Sequence, residues 1–506
     1  MKKIKIIGSI LFLLIAHQAA FPQQKVNLGK YFSALHKNQH FNGNVLVAEN
    51  GKVIFKRSYG YADFDTKRLN TFATQVPIAS ITKTLTATAI FQLKDKGSLK
   101  LTDPVIKFLP DFPYPEITIK NLLSHTSGMP SFDVLMDSLI KAHPDTVLTN
   151  KDFLTAIKGT KIPLNHKPGE KWNYDNTNFV VLALIVEKLS GLAIDEYFRS
   201  QILKPACMTH TFFPAFTFYH YTNREKQNLA IPYFTPYSYS GQRIRSDSIP
   251  FLADYWHKYN FRGFGETIST VEDLLKYDQV LYNGKLVNAA TLKEAFIPYR
   301  LNSGAYNIAW YGLGWQVDRD STFGKVVNHT GGVAGLSSVL VRNITKHQTI
   351  IVYTVGSDNA HIYAIDAMNI LNGRNTAYPK INTANLYAAT LLKSGTKIAA
   401  KVLRLAKRDT SNYAINEDDF NAVGYDLLGG EPVYRLKPPH HYQQALEIFK
   451  LNTSLFPSSW NVYDSYGDAL RQTGHFAEAI KMYRKSIELN PKNDDGKEIL
   501  KKLLKN

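Results

Sequence analysis

The feature that most restricts the fold of this 506-residue chain is an internal repeat near its C-terminus. An alanine, an aromatic residue and a proline recur 34 positions apart, as Ala445, Phe449 and Pro457 and then as Ala479, Tyr483 and Pro491. A small alanine lets paired helices approach, the aromatic ring fills the groove between them, and proline ends the second helix. The repeat therefore predicts an all-α helical-repeat region over residues 416–506.

The spacing of this repeat resembles that of the tetratricopeptide repeat. Gly467 supplies the small residue of the preceding helix, and Gly424 is its counterpart in the first repeat. Their interval is 43 residues rather than 34, so about nine inserted residues are expected near 430–439. Two repeats are fewer than the three normally needed for independent stability. Two alternatives stay open: the repeats bind a protein partner, or they pack as a cap on the rest of the chain.

The N-terminus has the pattern of a secretory signal peptide. Three lysines within the first five residues precede an apolar run over 6–16, and small residues follow at Ala19 and Ala20. A retained anchor helix is the alternative, but the run is shorter than the roughly 20 apolar residues that span a bilayer. We expect a signal peptide over 1–20, a secreted or periplasmic protein, and no membrane span after cleavage.

The single cysteine, Cys207, cannot form an internal disulfide bond, so an exported chain of this length must depend on its core. We expect Cys207 to be buried as a small hydrophobic residue.

The net charge of +18 favours anionic partners such as cell-wall polymers or membrane surfaces, or simply a dispersed charged surface. Because no basic arm, zinc pattern or RNA-binding signature occurs, nucleic-acid binding is not expected.

The region from 25 to 373 mixes strand-like and helix-like segments. Strands are predicted over 44–48, 53–55, 337–342 and 349–355, and helices over 82–92, 179–191 and 360–371. The helix over 179–191 is expected to be amphipathic. Asn50-Gly51 between the first two strands is a strong hairpin signal. Strands at both ends, with helices between them, predict an α/β sandwich whose terminal segments share one sheet. Residues 374–415 are read as a helical connector.

Ser80 and Lys83 form a Ser-x-x-Lys tetrad. A serine hydroxyl needs a base before it can attack, and residue i+3 of a helix lies on the same face. A partly desolvated lysine at that position has a lowered pKa and can take the proton. The same spacing occurs at Ser138 with Lys141 and at Ser394 with Lys397. The apolar segment 76–79 favours Ser80, because it predicts a buried entry to a helix N-terminus.

Two further segments carry groups suited to acyl transfer. Tyr174 could act as a phenolate-like base or as a proton relay beside a lysine. Asn176 could donate to a substrate carbonyl and accept from that lysine. His329 and Thr330 precede two glycines at the start of a predicted strand. An exposed N–H there could form one side of an oxyanion hole, with the Ser80 N–H as the other.

The order of these motifs resembles the serine β-lactamase and penicillin-binding superfamily. The Tyr-x-Asn form looks like its class C branch, which includes esterases, D-aminopeptidases and D,D-peptidases. The resemblance covers residues 30–372, and the stretches 122–128, 269–274 and 311–315 also match this family. It implies a β-lactamase-like α/β (α+β) sandwich over 25–373, with an antiparallel sheet flanked by helices.

The resemblance also implies a mechanism without a metal or another cofactor, in which a serine is acylated and the acyl-enzyme is then hydrolysed. Its residue roles would be Ser80 as nucleophile, Lys83 as base, Tyr174 as proton shuttle, Asn176 as orienting group, His329 and Thr330 as the substrate-binding edge, and Ser80 with Gly332 as the oxyanion hole. How Lys83 and Tyr174 share the base role stays open.

Two positions depart from the family pattern. Asp175 replaces a common serine, and His329 replaces the lysine of β-lactamases. Because histidine is mostly neutral at pH 7, an esterase or D-peptidase is favoured over a true β-lactamase. The expected substrate is a small ester or a peptide with a D-residue, including one derived from the cell wall.

The main alternative is a catalytically silent cell-wall-binding protein whose repeats hold a protein partner. A metallohydrolase is not favoured, because no His-Glu-x-x-His spacing occurs. The aromatic-rich segment 212–262 is expected to supply the walls of the pocket.

Overall fold

The computed structural model describes residues 23–160, 162–215, 221–237, 239–356, 359–430, 432–437 and 439–505. The predicted signal peptide over 1–20 lies outside these residues. The chain divides into two compact units. The first comprises Met1–Phe234 and Arg245–Ala377, and the second comprises Thr235–Ile244 and Tyr378–Asn506.

The strands lie mostly in the first unit. They are β1 (Gly43–Glu49), β2 (Lys52–Tyr59), β3 (Tyr61–Asp63), β4 (Arg68–Leu69), β5 (Val76–Pro77), β6 (Leu148–Thr149), β7 (Tyr233–Phe234), β8 (Ile244–Arg245), β9 (Tyr259–Asn260), β10 (Ile268–Ser269), β11 (Gln316–Val317), β12 (Val326–Val333), β13 (Leu336–Asn343), β14 (Gln348–Val355), β15 (Ile381–Asn382) and β16 (Tyr413–Ala414). Six of them form one antiparallel sheet in the order β11-β12-β13-β14-β1-β2.

The two ends of the first unit meet in this sheet. β1 pairs with β14 from Gly43 opposite Thr354 to Glu49 opposite Gln348. The β1–β2 hairpin turns at Asn50-Gly51, whose φ angles of 50° and 74° suit a two-residue turn that follows the twist of the strands. The prediction that the terminal segments share one antiparallel sheet is confirmed.

Helices flank the sheet in the first unit. They are α1 (23–37), α2 (Thr82–Asp95), α3 (Ile119–Leu123), α4 (Phe132–Ala142), α5 (Asn150–Thr160), α6 (Thr177–Ser190), α7 (Ile194–Phe198), α8 (Asn223–Lys226), α9 (Pro250–His257), α10 (Val271–Tyr282), α11 (Ala289–Ala295) and α12 (Ala360–Leu371). α1 and α12 pack on the sheet face that carries Val45, Val341 and Val352. On the opposite face, Asp278 of α10 accepts hydrogen bonds from Arg342 and Thr349.

Two expectations for this unit are wrong. α6 is not amphipathic, since every residue from Thr177 to Val186 is buried. Cys207 is exposed rather than buried. By length and apolar composition, no individual helix in the described part of the chain could cross a membrane. The bent pair formed by α6 and residues 194–203 reaches that threshold on length and composition only, and α6 is a core helix.

The second unit is helical. Its helices are α13 (Thr383–Ser394), α14 (Thr396–Arg408), α15 (Glu417–Gly429), α16 (Tyr442–Leu455), α17 (Trp460–Gln472), α18 (Phe476–Leu489) and α19 (Asp494–Leu503). Its core also takes in Tyr237 and Tyr239, which the sequence separates from the other residues of this unit. The expected boundaries at 374 and 416 stay predictions.

The repeated motif produces the same contact twice. A Cβ atom on Gly424 would lie 2.6 Å from the Phe449 ring, and one on Gly467 would lie 3.2 Å from the Tyr483 ring. Each glycine therefore makes room for the aromatic ring of the next helix. The inserted residues lie in the connection over 430–441, whereas the matching connection over 473–475 is short.

Candidate active site

Ser80 lies in a turn of 3-10 helix, Ala79–Ile81, between β5 and α2. β5 is held by antiparallel pairing with β10. Ala79 has a φ of 46°, a left-handed conformation that is strained for a residue with a side chain. Ala79 and Ile81 are buried while Ser80 is partly exposed. The turn therefore presents one polar side chain from an otherwise buried segment.

The Lys83 ammonium group has three hydrogen-bond acceptors. Its Nζ atom donates to Ser80 Oγ at 3.0 Å, to Asn176 Oδ1 at 2.8 Å and to the Phe264 carbonyl at 2.8 Å. An ammonium has three N–H groups, so all three are used. Of the three partners, only Ser80 carries a proton that it can give. If Lys83 loses a proton, its lone pair must therefore accept from the Ser80 hydroxyl.

Burial also controls the charge of this lysine. Lys83 is 0% exposed. Desolvation lowers the pKa of Lys83 to about 7, although the negative charges of Glu266 and Asp175 oppose this effect. The Nζ atom lies 4.9 Å from the centre of the Tyr174 ring. Neutral and protonated forms of Lys83 are consequently both accessible near neutral pH.

The loop from 262 to 266 provides the third acceptor. The buried Glu266 carboxylate accepts the backbone N–H groups of Gly263 at 2.7 Å, Phe264 at 3.3 Å and Gly265 at 2.8 Å. Gly263 has a φ of 110°, and a Cβ atom there would lie 2.7 Å from the Ala183 Cβ. Sequence reasoning missed Phe264 and Glu266. Two glycines around an aromatic residue, followed by a carboxylate, were the available signal.

His125 holds the turn that carries Tyr174 and Asn176. Its carbonyl accepts the Asn173 N–H at 2.9 Å, and its Nδ1 accepts the Asp175 N–H at 3.2 Å. The imidazole lies 4.3 Å from the Tyr174 ring, centre to centre. Since a backbone N–H can only donate, Nδ1 must be unprotonated. Burial lowers the pKa of His125 well below its usual value, and the Lys83 charge adds to this effect.

Tyr174 combines an exposed part with a desolvated phenol. The residue is 37% exposed and lines the cavity at Ser80. Desolvation raises the pKa of Tyr174 above its usual value, while a hydrogen bond with Ser80 acts in the opposite direction. The phenol is therefore protonated at neutral pH. Between the two candidate bases, this electrostatic difference favours Lys83.

His329 is held in one tautomer by its neighbours. Its Nδ1 lies 2.7 Å from the Thr330 carbonyl, which can only accept, so Nδ1 carries the hydrogen. Its Nε2 then accepts from the Tyr311 hydroxyl at 2.9 Å. Burial lowers the pKa of His329 to about 3, and the positive charge of Lys83 adds to the effect. His329 is consequently uncharged near pH 7.

The Asp175 carboxylate accepts hydrogen bonds from the backbone of two helices. Its carboxylate accepts the Phe132 N–H at 2.9 Å and the Thr177 N–H at 2.8 Å, at the starts of α4 and α6. Burial raises the pKa of Asp175, while its hydrogen bonds with Thr177 and Phe132 act in the opposite direction. It thus ties the turn that carries Tyr174 to two helices.

Several of these side chains line one cavity of about 370 Å³. Its lining residues are Ser80, Trp172, Tyr174, Ala309, Tyr311, Gln316, His329, Thr330 and Gly332. A Cβ atom on Gly331 would lie 2.1 Å from the Ile78 carbonyl oxygen, so glycine lets β12 approach the Ser80 segment. Gly332 has open space around it.

The structure thus brings together every residue that the sequence predicted for the catalytic site. Ser80, Tyr174, His329, Thr330 and Gly332 line the cavity, and Lys83 and Asn176 lie directly behind Ser80. The prediction for the walls is wrong, because no described residue from 212–262 lines this cavity. Among the described residues, there is no group of three or more His, Cys, Asp or Glu side chains suited to hold a metal ion.

Comparison with known proteins agrees with this fold. The β-lactamase family model matches residues 28–374, and the tetratricopeptide repeat model matches residues 460–493. The chain therefore belongs to the β-lactamase family and carries a tetratricopeptide repeat in its C-terminal region.

Curated relatives of the chain include penicillin-binding proteins. Penicillin-binding protein 4* of Bacillus subtilis is 32% identical over 335 residues, which are 65% of this chain and 71% of the relative. The putative penicillin-binding protein PbpX of the same organism is 32% identical over 272 residues, which are 54% of this chain and 62% of the relative.

Solved structures have the same fold. A penicillin-binding protein from Bacillus halodurans aligns with a TM-score of 0.56 and 24% identity, over 67% of this chain and 99% of that one. The D-amino acid amidase from Ochrobactrum anthropi aligns with a TM-score of 0.54 and 19% identity, over 68% of this chain and 99% of that one.

Proposed function

We propose that this chain is a serine hydrolase that cleaves an ester or an amide through an acyl-enzyme on Ser80. One observation carries the proposal: the Lys83 Nζ lies 3.0 Å from Ser80 Oγ in a buried site that lowers the pKa of Lys83 to about 7. A base with a pKa near the working pH is the most effective proton acceptor. A purely structural lysine would not need this combination of contacts.

The proposed reaction begins with neutral Lys83. Its Nζ takes the proton of Ser80 as Oγ forms a bond to the carbonyl carbon of the substrate. The backbone N–H groups of Ser80 and Gly332 stabilise the oxyanion. The bond to the leaving group then breaks, and the leaving group takes the Tyr174 phenolic proton, which the Lys83 ammonium replaces. In the second half, water attacks the acyl carbon and gives a proton to Lys83. The bond from the acyl carbon to Ser80 Oγ then breaks, and Lys83 returns the proton to Oγ, which releases the acid product.

The lining of the cavity supports a substrate without a carboxylate beside the scissile bond. Its aromatic and polar residues include Trp172, Tyr311 and Gln316, and its histidine is neutral. A free carboxylate entering there would lose hydration without meeting a permanent cation. We therefore favour small esters and amides, including peptides with a D-residue. The D-amino acid amidase with the same fold is named for amide hydrolysis.

His329→Lys tests this substrate preference. We expect the variant to bind carboxylate-bearing β-lactams more tightly, because it adds a cation to the cavity. The matched control is a pair of substrates, one with a free carboxylate and the other with the methyl ester of that carboxylate. The parent should prefer the methyl ester, and the variant should lose that preference. An equal preference in both proteins would remove the argument from the neutral histidine.

The cellular setting is part of the proposal. The basic and apolar N-terminal segment supports export to a secreted or periplasmic location. The tetratricopeptide repeat supports a protein partner in addition to the small-molecule or peptide substrate.

The experiment is intact-protein mass spectrometry after exposure to a fluorophosphonate and, separately, to a penicillin. We expect one adduct, located on Ser80 and missing from Ser80→Ala. Labelling of Ser80 by the penicillin would show that the protein also reacts covalently with penicillins. Labelling by the fluorophosphonate alone would favour an esterase or amidase. If neither reagent modifies Ser80, the nucleophile assignment fails and a silent binding protein becomes the better account.

A further inference from the structure

The outer face of α14 carries a row of cations in the second unit. Its members are Lys397, Lys401, Arg404 and Arg408, which lie within about 60° of one another on the helix surface. All four are exposed. Ala399 and Ala406, on the opposite side, are buried. The helix is therefore anchored by one face and presents positive charge on the other.

These cations form no ion pair within the described part of the chain. None of the four makes an ion pair or a hydrogen bond with another described residue, although cations of α17–α19 do. The segment 375–408 contains seven Lys and Arg residues and no Asp or Glu. A positive face that is kept free of carboxylates indicates an external anionic partner rather than a surface of balanced charge.

Two aliphatic side chains lie beside the row. Ile398 is 39% exposed and Leu405 is 49% exposed. They are seven residues apart, so they share a face about 90° from the cations. Cations next to exposed aliphatic groups are typical of a helix that rests on lipid, where the cations meet phosphates and the aliphatic groups enter the interface. An extended soluble polyanion would use the charges alone.

We propose that the outer face of α14 binds an anionic membrane surface. Because the opposite face belongs to the core of the second unit, binding is peripheral and reversible. Each cation near an anionic surface strengthens binding about fivefold, and salt weakens the attraction within a Debye length. The chain would thereby keep its hydrolase close to a membrane without a spanning helix in the described residues.

The test measures sedimentation of the full chain with vesicles of phosphatidylcholine alone and with one third phosphatidylglycerol. The variant K397Q/K401Q/R404Q/R408Q removes the row. The control R471Q/K485Q/K497Q/K502Q removes four cations that pair with carboxylates, so the net charge changes equally. Comparing variants cancels any binding by the N-terminal apolar segment, which all of them share. Circular dichroism verifies that each variant is folded.

We expect the parent and the control to bind anionic vesicles similarly, and the row variant to bind at least about 100-fold more weakly. The variant I398S/L405S should also bind more weakly to vesicles but equally to soluble polyglutamate. Equal loss in the row variant and the control would overturn the proposal, because net charge alone would then be responsible. Unchanged vesicle binding by I398S/L405S would overturn it in favour of a soluble polyanion.

Discussion

Ser80 with Lys83 and Ser394 with Lys397 share one spacing in two different settings. In the first, the lysine is buried, all of its N–H groups have acceptors, and its pKa is lowered to about 7. In the second, Ser394 ends α13, Lys397 belongs to α14, and both side chains are exposed to solvent. In the first setting the lysine reaches the serine and burial lowers its pKa, as a base requires, whereas in the second the chain passes from one helix to the next between the two residues.

Replacing the two serines should give the largest difference in activity between the two Ser-x-x-Lys pairs. We expect Ser80→Ala to lower kcat/KM for an activated ester at least about 1,000-fold, because no other group replaces the nucleophile. Ser394→Ala should leave kcat/KM unchanged. Steady-state kinetics and thermal melting would measure both. Comparable losses in the two variants would contradict the account.

Replacing the two lysines tests the base rather than the nucleophile. Arginine keeps the charge but does not release a proton in proteins, so Lys83→Arg should lower the acylation rate about 100-fold or more. Lys397→Arg should have no effect on acylation. Pre-steady-state release of a chromogenic leaving group gives the rate. Full activity in Lys83→Arg would mean that another residue, with Tyr174 first in line, is the base.

The fold could be predicted further than the site. Two β-rich runs joined at Asn50-Gly51 predict the β1–β2 hairpin, and the terminal strands do share the sheet. The roles proposed for Ser80, Lys83, Tyr174 and Asn176 depend on side-chain chemistry, so the order of these residues in the sequence was informative. The Phe264 carbonyl could not be found in this way, because any residue supplies a carbonyl and only the folded loop aims it. The prediction of the residues that line the cavity was wrong for a similar reason, because aromatic composition does not show which way a ring faces in the folded chain.

Replacing His125, which positions the turn that carries Tyr174, should have an intermediate effect on kcat. His125→Ala removes the acceptor of the Asp175 N–H and the ring beside Tyr174, so we expect kcat to fall about tenfold with little change in KM. His125→Asn should recover part of that loss, since its side-chain oxygen can accept the N–H and asparagine tolerates the φ of 56°. Equal kcat values in the two variants, with equal melting temperatures, would argue against positioning.

The smallest expected effect is a shift in the pH dependence of acylation, which tests the electrostatic environment of Lys83. Glu266 raises the pKa of Lys83 against the effect of burial, so Glu266→Gln should move the pKa of Lys83 below 7. The pH at which acylation is half-maximal should then fall, even if the maximal rate falls as well. The exposed carboxylate of Glu498 offers a control, Glu498→Gln, that should leave the profile unchanged. A shift towards higher pH would reverse the assigned sign.

The most direct measurement is the rate at which a fluorophosphonate labels Ser80 between pH 5 and pH 10. The account predicts a rate that rises through a midpoint near pH 7, because labelling needs neutral Lys83, and that falls about tenfold for each pH unit below it. His329, whose pKa is lowered to about 3, should add no second transition in this range. A flat profile, or a midpoint near the ordinary lysine value of about 10.4, would contradict a buried lysine acting as the base.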